Sequence, residues 1–302
     1  MTGSSLLAIL LDMRRRTFLQ MSACLGLSPG LSASEDPPIR IGLTPVILDD
    51  RVRFLRDWSQ WLERELGTSV EIVQRAKYQD IMELLNRQQL DAAWICGYPY
   101  VLNQDHLDLL AIPVYQGEPL YHAYILGHGA DRGIRDLRDL PGRTFAFSDP
   151  LSNSGYLYPV YRFRQLFHSP VRGEQSPFRK SFFAWGHRHV IEAVAAGLAD
   201  AGAVDGYVWD QLNRLHPELT SKTHIIERSP AFGFPPLVSN RSLDPERKSR
   251  LARVFTGMNQ DDEGRALLDS LGLDRFQPGS PTLYDSIAGM ARRVTETGES
   301  RT

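Results

Sequence analysis

Ser148-Asp149-Pro150-Leu151-Ser152-Asn153-Ser154-Gly155-Tyr156-Leu157-Tyr158-Pro159 is the stretch whose reading decides the fold of this chain. Thr144-Phe145-Ala146-Phe147 ahead of it is β-prone, and Val160, Tyr161, Phe163, Leu166 and Phe167 behind it recur at helical spacing. The hydroxyls, the amide and the flexible glycine therefore lie where a strand hands over to a helix N-terminus. At such a junction unpaired backbone N–H groups and the positive end of the helix dipole favour an oxyanion. Ser152, Asn153 and Ser154 add side-chain donors, and no lysine is required. The competing reading is a plain helix cap, because Ser and Asn are also the usual N-caps.

The segments before this cradle alternate strand and helix. Ile39-Arg40-Ile41-Gly42-Leu43-Thr44 predicts a first strand that meets Pro45, and Phe54, Leu55, Trp58, Trp61, Leu62 and Leu66 predict an amphipathic helix over 53–66 closed by Gly67. Val70 to Val73 predicts a second strand, Tyr78 to Arg87 a second helix, and Asp91 to Cys96 a third strand ending in Gly97. This alternation argues for parallel βαβ units, which bind ligands at the carboxyl ends of their strands, where Thr44, Cys96 and Tyr98 fall. Leu109 to Val114 and Tyr121 to Leu126 read as strands, and Ile134 to Leu140 as a short helix before the Pro141-Gly142 turn.

Beyond the cradle helix, Phe182 to Trp185 reads as a strand, and His187 precedes a helix from His189 to Leu198. Ala201 to Val204 is a strand whose carboxyl end offers Asp205 and Tyr207. Helices over 246–258 and 262–271 close the pattern. Two similar α/β halves, the second inserted in the first, account for this order better than one continuous sheet.

Composition narrows the function classes. With 302 residues, 42% hydrophobic content and a formal charge of −2, the chain has ample material for a core and no basic footprint for nucleic acid. Arg14-Arg15-Arg16-Thr17-Phe18-Leu19-Gln20, the apolar run Met21 to Leu31 and the small residues Ser32-Ala33-Ser34 resemble a twin-arginine export signal over 1–34. Its removal takes away a net charge of +2, leaves the remainder near −4, and leaves Cys96 as the one cysteine, since Cys24 departs with it. The two cysteines have no paired spacing for a zinc ribbon or a disulfide framework. His187-Arg188-His189 supplies two alternating histidines and no third ligand, so neither metal nor cofactor is expected.

Asp91 to Tyr100, Asp149 to Pro159, and Gly186-His187 through Ala193-Val194 to Ala199-Asp200 together resemble the periplasmic phosphate/phosphite/phosphonate-binding proteins of ABC transporters. The resemblance implies a type II solute-binding fold: two α/β lobes, here 35–124 with 232–302 and 125–231, joined by two crossing segments around a ligand cleft. It implies that Ser152, Asn153, Ser154, Tyr78, Tyr121 and His187 hold the anion. It further implies a monomer in the periplasm serving an ABC transporter permease, and a binding protein rather than an enzyme. Taken singly, Tyr78 and Tyr121 also read as packing aromatics, and His187 as a cap.

Two departures from the family pattern matter. Aminoalkylphosphonate binders place two acids where this chain has Tyr207 and the Phe232 to Pro235 region, which argues against an amino-bearing ligand and leaves Asp205 as a polar contact. Cys96 stands where the family has glycine, and Trp94 to Tyr100 resembles the arsenite-sensing branch, whose members signal to a sensor kinase. A thiolate binds soft electrophiles such as trivalent arsenic, whereas a small buried apolar residue is the ordinary role of a free cysteine. An enzyme with Cys96 as nucleophile and His187 as base finds no supporting motif: beyond the export-signal segment 1–34 there is no Gly-x-Ser-x-Gly elbow, Walker loop, His-Glu-x-x-His or carboxylate pair.

Overall fold

The computed structural model describes residues 37–45, 52–130 and 133–296, and the arginine-led segment with its export reading lies outside them. Strands Ile39–Leu43 (β1), Val70–Gln74 (β2) and Ala92–Trp94 (β3) run parallel, with helices α1 (Val52–Leu66) and α2 (Tyr78–Asn86) between them. Helix α1 buries Phe54, Trp58, Trp61, Leu62 and Leu66 along one stripe. Large apolar side chains buried this way stabilise the fold by about 1.5–3 kcal/mol each. Gly67 ends it at φ 64°, the left-handed conformation that glycine adopts without strain.

After α3 (Gly97–Asn103) the sheet is completed by β4 (Leu107–Val114), and late in the chain by β12 (Leu237–Asn240) and β13 (Arg275–Gln277), in the order β13-β4-β12-β3-β1-β2. Trp58, Trp94, Phe255 and Phe276 pack edge to face across it, with ring centroids 5.3–6.3 Å apart.

A second sheet is built from β6 (Ala123–His128), β7 (Thr144–Phe147), β8 (Lys180–Phe183), β9 (Ala201–Asp205) and β10 (Thr223–Arg228), in the order β10-β6-β9-β7-β8. Its core is phenylalanine-rich: Phe145 packs on Phe147, Phe163 and Phe178 at centroid distances of 4.8–5.1 Å. Two short strands, β5 (Leu120–Tyr121) and β11 (Phe232–Gly233), pair with each other and with neither sheet. The chain passes from β4 to β6 through β5, and returns from β10 to β12 through β11. The two crossings are thus laid side by side.

Several sequence expectations are corrected. The parallel units expected over 39–96 are present in β1, β2 and β3, but elsewhere β6 and β12 run against their neighbours, and β13 against β4. The physical reason is the route, because β6 and β12 arrive by a crossing segment and not by a helix that returns the chain to the same end. The expected strand 121–126 breaks at His122, where the first crossing ends. The helix expected over 134–140 is a single tight turn, Leu137–Asp139, with Asp136 as its cap. The helix expected from His189 begins at His187 and ends at Ala195. Among the described residues no helix is long and apolar enough to cross a membrane.

Candidate functional site

The junction after β7 is not a direct passage from strand to helix. Ser152 N–H donates to the Asp149 carbonyl, and Leu157 and Tyr158 N–H groups reach back five residues to the carbonyls of Ser152 and Asn153. The result is one widened turn, Asn153–Leu157, before helix α4 (Tyr158–Phe167). Such turns lengthen the loop by a residue and recur at functional sites. Ser152 caps the turn by accepting from Gly155 N–H at 2.9 Å. Gly155 is required by close approach: a methyl placed on it would lie 1.8 Å from Ser148 Oγ and 2.6 Å from Ser148 Cβ. Glycine therefore lets the turn settle onto the end of β7.

Side chains from the first sheet and from the crossing meet this turn. Asn153 Nδ2 donates to Tyr121 Oη at 3.0 Å, and Asn153 N–H to Cys96 Sγ at 3.2 Å. Tyr78 Oη lies 3.2 Å from Nε2 of His187, the first residue of helix α5 (His187–Ala195). Asp149 turns one carboxylate oxygen to Leu151 N–H and the other to Tyr78 N–H at the start of α2. Tyr78, Cys96, Tyr121, Ser152, Asn153, Ser154, His187 and Asp205 are all buried. Of the residues singled out in the sequence these eight form one cluster.

Tyr207 stands apart. It follows Asp205 at the start of α6 (Gly206–Leu215), but its hydroxyl donates to the Leu271 carbonyl at 2.6 Å and its ring packs on Phe234. Asp205 itself caps α6, accepting from Tyr207 N–H, while its own N–H donates to His187 Nδ1 at 3.0 Å. That bond fixes the tautomer of His187: Nδ1 accepts, so the neutral ring carries its proton on Nε2, facing Tyr78.

The cluster is electrostatically neutral in its side chains. Burial pushes His187 down to about 3, so the ring is uncharged at neutral pH. Burial raises Tyr78 and Tyr121 well above the ordinary phenol value and lifts the Cys96 thiol to about 11. Burial raises Asp205 to about 8 against the opposing bonds from Tyr207 and Val208 N–H. No lysine or arginine acts on His187 or Asp205. Positive potential comes instead from helix starts, since α2, α3, α5 and α6 each begin at a residue of the cluster or next to one.

Three polar atoms inside lack a hydrogen-bond partner: Ser148 Oγ, Asn153 Oδ1 and Ser154 Oγ. A buried polar group left this way costs about 1–3 kcal/mol, so three within one strand-to-helix junction mark a place built for something that satisfies them. Ser148 and Asp149 carried no assigned role in the sequence. Their signal was only adjacency to the Ser-Asn-Ser run, because the contacts that matter are to Gly155 and Tyr78. A groove of about 660 Å³ lined by Tyr161, Arg162, Met290 and Arg293 lies elsewhere and includes none of the turn's residues.

The family described as ABC transporter, phosphonate, periplasmic substrate-binding protein matches residues 41–284. The chain belongs to that family. It is 28% identical over 249 residues to the phosphate-import protein PhnD of Mycolicibacterium smegmatis, covering 78% of each chain. Among solved structures, a binding protein component of an ABC phosphonate transporter from Pseudomonas aeruginosa superposes with a TM-score of 0.78 at 22% identity, covering 88% of this chain and 90% of that one. PhnD1 of Prochlorococcus marinus, in complex with methylphosphonate, superposes with a TM-score of 0.72 at 20% identity, covering 85% and 98%. The fold is that of the type II periplasmic binding proteins, with the paired β5 and β11 as its crossings.

Family membership sharpens the reading of Cys96. The thiol is buried, protonated at neutral pH and engaged with Asn153 N–H, and it is the only free cysteine among the described residues. Among the described residues arsenite capture has no second thiol to draw on. Iodoacetamide at about pH 8 is expected to modify Cys96 about two orders of magnitude more slowly in the folded protein than in urea, followed by intact mass. Equal rates would place the thiol outside the core.

Proposed function

We propose that this protein captures a small tetrahedral oxyanion of the phosphate, phosphite or phosphonate type and presents it to an ABC importer. The ligand would lie between a lobe formed by 35–124 with 232–302 and a lobe formed by 125–231. The observation that carries this reading is the set of orphaned polar atoms at Ser148, Asn153 and Ser154, enclosed by hydrogen-bonding groups from both sheets. The relatives support the ligand class, since one imports phosphate and one was solved with methylphosphonate.

Neutral donors suit the task. Tyr121 Oη accepts from Asn153 Nδ2, which leaves its own proton to point at an anion, and Tyr78 Oη and His187 Nε2–H, 3.2 Å apart, would both turn to the ligand. His187 Nε2–H and the Ser154 hydroxyl complete a directional grip, and the helix starts supply field without a counter-ion. No catalytic step is assigned: Cys96 and His187 are engaged with Asn153 and with Asp205 and Tyr78, not with each other. The bonds Tyr78–His187, Tyr78–Asp149 and Cys96–Asn153 connect elements around the first sheet with elements around the second, so a ligand held among them would favour the closed arrangement. The protein would act as a monomer in the periplasm after export by the twin-arginine-like segment 1–34.

A thermal-shift screen against phosphate, phosphite, methylphosphonate, sulfate and arsenite tests this. A specific ligand at a hundredfold excess over its dissociation constant stabilises by about 2.7 kcal/mol. We expect a phosphorus oxyanion to do so, with and without a thiol blocker. No stabilisation by any of the three would overturn the reading.

A further inference from the structure

The acceptor inventory of the cluster is almost fully committed. His187 Nδ1 accepts from Asp205 N–H, the Asp205 carboxylate from Tyr207 N–H, and the two oxygens of Asp149 from Leu151 and Tyr78 N–H groups. Ser148 Oγ and Ser154 Oγ, though unpartnered, are hydroxyls that rotate to donate to an anion. Asn153 Oδ1 cannot do this. It accepts only, it belongs to a residue with no exposed surface, it has no partner, and the Nδ2 of the same amide is held on Tyr121.

An acceptor-only oxygen buried against a fully ionised oxyanion would face like charge and stay unsatisfied. Against a hydroxyl of a partly protonated oxyanion it gains a hydrogen bond. Building on the oxyanion reading, we infer that Asn153 selects the ligand's ionisation state: its Oδ1 accepts a hydrogen bond from a P–O–H group, so the protein takes the monoanion and rejects the dianion. Sulfate, which is tetrahedral but carries no proton near neutral pH, would be refused for the same reason.

The protein groups that face this position are Tyr78, Cys96, Tyr121, Asp149, His187 and Asp205, with Lys77 and Asp80 acting on Asp149 and Asp210 acting on Asp205. His187 stays neutral and Cys96 protonated between about pH 6 and 8. Burial brings Asp205 into that range and raises Asp149 as well, and ionisation of either would also weaken anion binding. The experiment therefore separates a ligand proton from a protein proton.

Affinities for phosphite and for methylphosphonate are measured by isothermal titration across about pH 5.5 to 9, since their second ionisations fall at different pH. Binding is expected to weaken by about tenfold per pH unit above each ligand's own second ionisation. The break should move with the ligand. Asn153→Thr and Asn153→Ser, which replace the acceptor by a rotatable hydroxyl, should reduce that slope to about threefold or less across the range, with sulfate binding gained. Affinity that is flat or rises with pH would overturn the inference, and so would a break at the same pH for both ligands, which assigns the proton to a carboxyl of the protein, Asp205 or Asp149. Binding of neither ligand at any pH would defeat the oxyanion reading itself, an outcome distinct from binding with the wrong slope.

Discussion

Gly155→Ala is expected to abolish oxyanion binding and to lower the thermal midpoint by ~2–12 °C. The added methyl would meet Ser148 Oγ at 1.8 Å and Ser148 Cβ at 2.6 Å, with His187 Cε1 at 3.2 Å behind them. A hydroxyl can rotate away, but Ser148 Cβ is fixed to a backbone that donates to the Gly155 carbonyl at 3.1 Å. The turn and the strand end must therefore separate. Overpacking of this kind costs about 1–3 kcal/mol, and each kcal/mol moves the midpoint by about 2–4 °C in a domain of this size. Binding suffers more than stability, because the same movement shifts Asn153 and Ser154 relative to His187. Gly289→Ala is the control: nothing lies within 4 Å of the added methyl in a helix interior, so it should leave binding intact and raise stability by about 0.5–1 kcal/mol. Differential scanning calorimetry and titration on the two variants check both statements, and normal binding by Gly155→Ala would remove the turn from the site.

His187→Ala has the second largest expected effect, a loss of affinity of about tenfold to a hundredfold. Truncation removes the Nε2–H donor and leaves Asp205 N–H without its acceptor. The lost bond to a charged group costs about 1.5–3 kcal/mol of binding, where about 1.4 kcal/mol is tenfold, and the orphaned buried donor costs a further ~1–3 kcal/mol of stability. His187 also gives the unliganded protein an acid sensitivity of definite sign. Its folded pKa of about 3 lies below the ordinary 6.5, so burial favours the neutral ring. The contribution is fully present above about pH 6.5 and is lost as pH falls towards 3. Asp205, raised to about 8, acts in the opposite sense and loses its contribution as pH rises. The difference between wild type and His187→Ala isolates the histidine. Urea unfolding at about pH 7 and about pH 4 should show wild type losing more stability on acidification than the variant, and an equal loss would mean that His187 is not buried as a neutral ring.

Much of this was legible in the residues, and the part that was not has a physical cause. Helix α1 was readable because five large apolar side chains repeat on one stripe and Gly67 stops them. The turn was readable as an anion cradle because Ser152, Asn153 and Ser154 are consecutive. Its widened geometry was not, since two backbone bonds reaching back five residues leave no pattern in side-chain chemistry. Helix α3 was missed because Gly97 and Pro99 read as a loop, and β12 and β13, at four and three residues, are too short for alternation to declare them. The role of Ser148 rests on Gly155, and the pairs Tyr78–His187 and Cys96–Asn153 join residues 109 and 57 apart in the chain. Only the folded chain brings them together. The direction of β6 and β12 was likewise hidden, because it depends on which end of the molecule each crossing leaves.

The most direct test of the account is a crystal structure of the protein grown with methylphosphonate. The account places the phosphonate oxygens within about 2.6–3.2 Å of Ser154 Oγ, His187 Nε2 and Tyr78 Oη, with one of them against Asn153 Oδ1. Density for the ligand in the groove beside Tyr161 and Arg293, or bare turns at Ser152 to Gly155 in crystals saturated with it, would contradict the account.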